Sequence, residues 1–386
     1  MKTTIYQAIA HALNDLGVEI VTFVPGYGAS DTFQFYNELT MRSLKMSFHE
    51  EVAYTISHGA SILGKRAAVL MKAHGLMKAA NSVSDSLYTE PTAGFVTIIF
   101  DDKSGKHSDN ILEITPVLEG MSMPFITSRN ETVYDDIINA FLESEKRKMP
   151  VAVIVDALNT KLEIEFTPKQ NLKRNFSYER NIYSHVVSPL LADYQYKLFI
   201  AKKLNGNLEA VVRPELPIVP ESLTEKVKEG ALKFIPFFDV FKNIKRDIAT
   251  GDTGSSSSFA FPPYNCIDIV TYMGGSIPLA IGAYLAGKKN VWALTGDFSF
   301  ISAGNLGLLE AFNREIPLKV VIFYNKKAAA TGNQPIHRKL LRHILAGYEK
   351  YLLSISNPDD PFEIDAVLHE AASSNEMKII IVDYLE

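Results

Sequence analysis

The chain has 386 residues, 47% of them hydrophobic and 22% charged, and a net charge of −5 at pH 7. That balance leaves room for two or three globular domains, offers no basic surface for a nucleic acid, and contains no apolar run near the roughly 18 residues that a membrane-spanning helix needs. The single cysteine, Cys266, excludes an internal disulfide and an iron–sulfur cluster held by this chain alone, since such a cluster takes about four thiolates. No nucleic-acid or membrane partner is expected. The N-terminus enters an amphipathic helix without a secretory apolar core, so a cytoplasmic location is expected.

From residue 1 to about 165, apolar strand candidates lie at 19–24, 67–71, 95–100 and 151–155, with helical patterns between them. From about 244 to 386 the same alternation returns, with strands near Ile248 and at 291–294, 318–324 and 379–382. Alternation of this kind predicts mostly parallel sheets covered on both faces. The stretch 166–243 differs. It carries Pro214, Pro217 and Pro220 and helical patterns at 188–204 and 223–241, the second interrupted at Pro236. It is too short for a third doubly wound domain. The expected architecture is therefore α/β, with two doubly wound, mostly parallel sheets (1–165 and 244–386) joined by a helical crossover linker (166–243).

The chemistry-bearing candidates cluster where strands end. After the strand near Ile248 comes Gly251-Asp252-Thr253-Gly254-Ser255-Ser256, whose small residues would let backbone N–H groups and hydroxyls approach phosphate oxygens. By itself such a loop is more often a plain connector. Met273-Gly274-Gly275 follows, and Met273 taken alone reads first as a core gap-filler. Gly296-Asp297-Phe298-Ser299 leaves one apolar strand and Asn325 ends the next. Open α/β sheets bind ligands at that edge, and a carboxylate with an amide oxygen suits a hard cation such as Mg²⁺. The alternative for Asp297 is a helix N-cap.

The Gly296-Asp297 start, with Asn325 placed 28 residues after Asp297, resembles the thiamine diphosphate motif, which begins Gly-Asp-Gly and ends at Asn. Phe298 stands at the third position, where the motif has its second glycine, as in indolepyruvate:ferredoxin oxidoreductases. The segment from Gly251 through Phe261-Pro262-Pro263-Tyr264-Asn265-Cys266-Ile267-Asp268 to Met273-Gly274-Gly275-Ser276 resembles the α subunit of those enzymes most specifically. The resemblance implies a pyrimidine-binding domain first and a diphosphate-binding domain second. It implies that Gly251, Asp252, Gly254, Ser255, Ser256, Met273, Gly296, Asp297, Phe298, Ser299 and Asn325 hold the cofactor, with Met273 wedged beneath it. Asp297, Asn325 and the Lys327 carbonyl would hold Mg²⁺. The sequence departs from the family at Ser255, where cysteine is common, and at Asn333, where histidine is common. It also shows neither the family's additional domain nor its cysteine-rich, ferredoxin-like tail.

The family also needs a buried glutamate against the aminopyrimidine ring. Glu50, in His49-Glu50-Glu51 and nine positions before Gly59, matches the spacing of thiamine diphosphate enzymes; Glu51 is expected to face solvent or to serve as a helix-terminal charge. His74 and His107 fall after strand ends, in loops resembling those that line the family's active site, and are candidates for substrate-carboxylate binding or proton transfer. His49, beside Glu50, is assigned to packing or to supporting the residues around the site. The implied function is thiamine diphosphate- and Mg²⁺-dependent cleavage of a 2-oxo acid, oxidative with a partner subunit or ferredoxin as acceptor. Two alternatives are a non-oxidative decarboxylase similar to phosphonopyruvate and sulfopyruvate decarboxylases, and a non-catalytic cofactor-binding subunit. A homodimer is expected, because the architecture places Glu50 of one chain against the cofactor of another.

Overall fold

Both alternating runs fold into open parallel sheets in the computed structural model, which describes residues 1–337 and 339–384. The chain divides into two units, the first comprising 1–179 and 198–208, the second 180–197 and 209–386. The last two residues of the second unit, and Arg338, lie outside the described residues.

The first unit carries a five-stranded sheet in the order Ile20–Phe23, Ala67–Lys72, Phe95–Asp101, Val151–Asp156, Phe125–Thr127, parallel throughout. The central strands are runs such as Val151-Ala152-Val153-Ile154-Val155, buried along their whole length. β-Branched and apolar residues at successive positions suit a strand whose two faces are both covered by helices. The helix Ile5–Asp15 begins at Thr4 with a capping box closed by Gln7. It packs on Ala29–Thr40 and Val133–Arg147. Residues 166–179 stay with this unit because Arg66 donates to the Leu172 carbonyl (2.7 Å) while pairing with Glu145 through two bonds. Residues 198–208 join it through Lys202, whose buried ammonium lies 3.0 Å from Glu90, and through Phe199 against Tyr88.

The second unit carries a six-stranded parallel sheet in the order Leu352–Ile355, Lys378–Asp383, Lys319–Tyr324, Val291–Gly296, Ile248–Asp252, Ile269–Thr271. Residues 180–197 belong here because Arg180 donates to the carbonyls of Ala260 (2.6 Å) and Ile267 (2.9 Å) and pairs with Asp268. The stretch expected as one interrupted helix at 223–241 forms two, Glu225–Leu232 and Ile235–Phe241. Proline lacks the N–H that a continuing helix would use, so Pro236 sits in the first turn of the second helix. Phe237, Phe238 and Phe241 then enter the core beside Trp292 and Phe323. Among the described residues, no helix is long and apolar enough to cross a membrane.

Candidate cofactor site

The second unit gathers four loops at the C-terminal ends of adjacent parallel strands, the edge where open α/β sheets hold ligands. Asp297, at the exit of Val291–Gly296, is buried, and its carboxylate accepts the backbone N–H groups of Phe298 (2.8 Å), Asn325 (3.1 Å) and Lys326 (2.6 Å). Strand register brings these residues together, since Gly296 pairs with Phe323 two residues before Asn325. The Asn325 side-chain oxygen accepts the N–H of Lys327 (3.1 Å). Burial pushes the Asp297 carboxyl above its ordinary range, and the three N–H bonds pull it back only in part. A divalent cation would reverse that cost.

The first loop is tied to its neighbours by Asp252. Its buried carboxylate accepts the Ser276 N–H (2.7 Å) and the Thr295 hydroxyl, so it faces into the protein and joins two strand ends to the start of the helix Ser276–Leu285. Burial raises its pKa to about 6, against the opposing pull of those bonds. Gly251 lies within the strand, where a Cβ would come within 3.0 Å of Ile267; its small size serves packing. Gly254 and Gly296 instead face open space, with no atom within 4 Å of a Cβ at either position. Ser255 and Ser256 open the 3₁₀ turn Ser255–Ala260 beside Gly254 and are partly exposed. Ser299 is buried just after Asp297, and the helix then widens into a π turn over Phe300–Gly304, a local irregularity common at functional sites.

Met273 is exposed, not a core residue, and so is Phe298. Gly274 follows Met273 in the short turn that leads into the helix Ser276–Leu285. Its φ is +90°, and a Cβ there would fall 2.6 Å from the Ala303 side chain, so the position leaves no room for a larger residue. Two exposed apolar side chains, Met273 and Phe298, thus stand beside small residues in the chain, Gly274 and Ser299.

The residues present fit a diphosphate bridged by a hard cation. Open glycine positions leave space for phosphate, and Asp297, Asn325 and the neighbouring backbone are all oxygen donors. Among the described residues there is no cluster of three or more His, Cys, Asp or Glu that could hold a metal. A single carboxylate with amide and carbonyl oxygens is what Mg²⁺ uses when phosphate completes its shell.

The first unit assembles a second constellation at the corresponding edge of its own sheet. Glu50 is the first residue of the helix Glu50–Ile62, whose positive end faces it. Its side chain lies over Gly75, where a Cβ would meet Glu50 Cγ at 2.9 Å. Lys78 Nζ is 3.0 Å from Oε2, outside hydrogen-bonding direction, so this buried oxygen has no hydrogen-bond donor. A buried carboxylate oxygen lacking a donor suits a ligand that brings one. Glu51 lies in the first turn of this helix, as the helix-terminal charge expected, and is half-buried rather than solvent-facing; burial raises its pKa while Asn81 donates to it (3.3 Å). His49 precedes the helix as its N-cap residue, and burial and Lys78 push its imidazole below the ordinary range.

His74 Nε2 lies 2.7 Å from the Asn110 side-chain oxygen. His107 stacks on Tyr27, with ring centroids 3.7 Å apart and planes 12° apart. Sequence reasoning missed Lys72, Lys78, Tyr27 and Asp102 in this unit and Thr295 and Ser276 in the other. Tyr27, Lys72, Asp102 and Ser276 lie within segments that resemble the family, but no role was assigned to them; each is singled out only through the neighbour that it holds.

Residues 252–380 match the family described as thiamine pyrophosphate enzyme, C-terminal TPP binding domain. The chain is 32% identical over 112 residues to indolepyruvate oxidoreductase subunit IorA of Archaeoglobus fulgidus, an alignment covering 27% of this chain and 18% of that protein. It is 34% identical over 74 residues to the subunit of the same name from Methanothermobacter marburgensis, covering 19% and 12%. The matched stretches thus span less than a fifth of these curated relatives. Benzoylformate decarboxylase from Polynucleobacter necessarius shares the fold, with a TM-score of 0.65 at 11% identity over 98% of both chains. So does the thiamine diphosphate-dependent 4-hydroxybenzoylformate decarboxylase of Rhodococcus jostii RHA1, with 0.66 at 14% identity over 98% of this chain and 99% of that one.

Proposed function

Residues 252–380 belong to the thiamine pyrophosphate-binding domain family, and from that premise we propose that the protein is a thiamine diphosphate- and Mg²⁺-dependent enzyme that cleaves a 2-oxo acid oxidatively, passing electrons to a partner subunit or ferredoxin. The observation that carries the reading is the junction of Asp297 and Asn325 at neighbouring strand ends within the matched segment. Asp297, Asn325 and the Lys327 carbonyl hold Mg²⁺. Gly254, Ser255, Ser256, Gly296 and Ser299 line the diphosphate, and Met273 and Phe298 supply apolar contact. When bound, the cofactor supplies the nucleophilic carbon and electron sink for breaking the bond beside the 2-oxo group. Glu50 binds the aminopyrimidine and holds a proton there through the oxygen that lacks a donor. His74 and His107 bind the substrate carboxylate or move a proton at the reacting carbon.

Glu50 of one chain serves the cofactor held by a second, so the working enzyme is a symmetric homodimer. A monomer in sedimentation that retains turnover would contradict this.

Two observations favour a second outcome, release of an aldehyde without oxidation. Cys266 is the sole cysteine, so this chain cannot hold a cluster to take electrons. The decarboxylases named above share the fold. The deciding experiment follows consumption of indolepyruvate, phenylpyruvate, pyruvate and branched-chain 2-oxo acids with thiamine diphosphate and Mg²⁺. It is run with and without coenzyme A plus an artificial one-electron acceptor. Consumption that requires the acceptor supports the oxidative reading. Aldehyde formation without it supports the decarboxylase. Tight cofactor binding with no consumption of any acid overturns both and leaves a binding subunit.

A further inference from the structure

Residues 102–110 form a polar loop of the first unit, and a histidine on such a loop would ordinarily sample many orientations. His107 does not have that freedom. Its N–H donates to Asp102 Oδ2 (2.7 Å), its carbonyl accepts from Lys72 Nζ, and its ring lies flat on Tyr27. Asp102 also accepts the hydroxyls of Ser104 (2.9 Å) and Ser108 (3.0 Å), and Ser108 in turn accepts from Lys72 (2.7 Å). Building on the function proposed above, we propose that Asp102 is a positioning residue that, with Lys72 and Tyr27, sets the His107 imidazole in place for the 2-oxo acid.

Three strand exits converge in this clamp. Lys72 ends the strand Ala67–Lys72, and Asp102 follows the last residue of Phe95–Asp101, which pairs with Ala67–Lys72 in register. Tyr27 lies in the turn after Ile20–Phe23. That turn also makes room for the lysine: a Cβ at Gly26 would fall 2.8 Å from Lys72 Cγ. The far end of the loop is tied as well, through Asn110 and His74. Asp102 is 5% exposed, yet every bond its carboxylate makes goes to its own loop; none goes to the core. Burial pushes its carboxyl up, but the His107 N–H, the two serine hydroxyls and Lys72 outweigh burial and hold it at about 2. The clamp is therefore charged at any pH where the enzyme would be assayed. Holding a reactive side chain in one orientation before substrate arrives removes an entropic cost from the reaction step.

The test compares Asp102→Ala, Asp102→Asn, His107→Ala and the double variant Asp102→Ala/His107→Ala. Two readouts are used: kcat/KM for the consumed 2-oxo acid, and the imidazole NMR signals of protein labelled at its nine histidines. Assigned by their loss in His107→Ala, the His107 ring signals of the parent protein are displaced by the Tyr27 ring. Asp102→Ala returns them toward free-histidine values and lowers kcat/KM by about ten- to a hundredfold. Asp102→Asn keeps one acceptor oxygen and restores most of both. In the His107→Ala background, removing Asp102 changes kcat/KM by less than about twofold, because the two residues act as one. An equal loss with and without His107, or ring signals unmoved in Asp102→Ala, overturns the proposal. If His107→Ala itself leaves kcat/KM unchanged, the role given to His107 fails and the proposal with it. The ring signals then report separately whether Asp102 shapes the loop, and cofactor titration reports whether the rest of the functional reading survives. Should Asp102→Ala fail to fold, Lys72→Met, which removes the bonds to the His107 carbonyl and Ser108, carries the same comparison with and without His107.

Discussion

The two units repeat one strand order and put different chemistry at its exits. Reading inward from one edge, the second unit runs Leu352–Ile355, Lys378–Asp383, Lys319–Tyr324, Val291–Gly296 and Ile248–Asp252, and the first runs Phe125–Thr127, Val151–Asp156, Phe95–Asp101, Ala67–Lys72 and Ile20–Phe23. The second unit then adds Ile269–Thr271, where the first has only Ser47 reaching Phe23 through one backbone bond (2.8 Å). The exits in the second unit carry Gly254, Met273, Gly296-Asp297 and Asn325. Those in the first carry Tyr27, Glu50, His74 and His107. Phosphate and a cation are held by backbone groups and small oxygen donors, which need residues without bulk. Proton movement needs ionisable side chains on a framework that keeps them still. One topology can serve both because the strand ends fix where a loop begins and leave its content free.

The largest effect expected from breaking this division comes from the first unit. Glu50→Gln should retain thiamine diphosphate binding, measured by titration, while turnover falls by about 10²–10⁴-fold, the usual worth of a group that handles a proton. Parent-like turnover would remove Glu50 from the mechanism. Asp297→Ala should do the opposite, abolishing Mg²⁺-dependent cofactor binding. Changes outside the ligand shell cost about 10–100-fold in metal affinity, so loss of a ligand should cost at least that. Binding unaltered in a titration with excess Mg²⁺ would contradict the assignment.

Asp252 and Asp102 sharpen the comparison, since both hold loops but titrate in opposite directions. Asp252 has a folded pKa of about 6 against a reference of 3.8, so the native state keeps a proton that the unfolded chain releases. Stability of the second unit should therefore fall as pH rises from about 4 to about 6 and level above that. A shift of this size amounts to about 3 kcal/mol. Urea unfolding followed by the fluorescence of Trp292, the only tryptophan and buried in this unit, reads it directly. Asp252→Asn should flatten that slope; an unchanged slope would assign it to another group. Asp102, held at about 2, contributes stability that is complete above about pH 4 and is lost as pH falls toward 2.

The smallest effect tests how tightly Glu50 is placed. Gly75→Ala puts a Cβ 2.9 Å from Glu50 Cγ. Overpacking of this kind costs about 1–3 kcal/mol when it cannot relax. Because Glu50 can shift, a modest loss of turnover with unaltered cofactor affinity is expected in steady-state assays.

By itself the sequence determined the α/β class and the long central strands, because a strand buried on both faces must be an unbroken apolar run and these runs are visible. It also placed Asp297 and Asn325 at neighbouring strand ends, an interval set by one strand–helix–strand unit, whereas Glu50 was proposed only from a family resemblance in its distance from Gly59. The short edge strands Phe125–Thr127, Ile269–Thr271 and Leu352–Ile355 left no such run, being three or four residues long. Tertiary structure alone decided how residues 166–243 are shared between the units, because that follows from what Arg66, Arg180 and Lys202 reach across the chain. It decided that Asp252 turns inward while Met273 and Phe298 stay exposed, since direction depends on the neighbours a side chain meets. The hold of Lys78 on Glu50 and of Asp102 and Lys72 on His107 was likewise a tertiary matter. Such contacts join residues with no fixed spacing along the chain, and only the strand register brings their loops side by side.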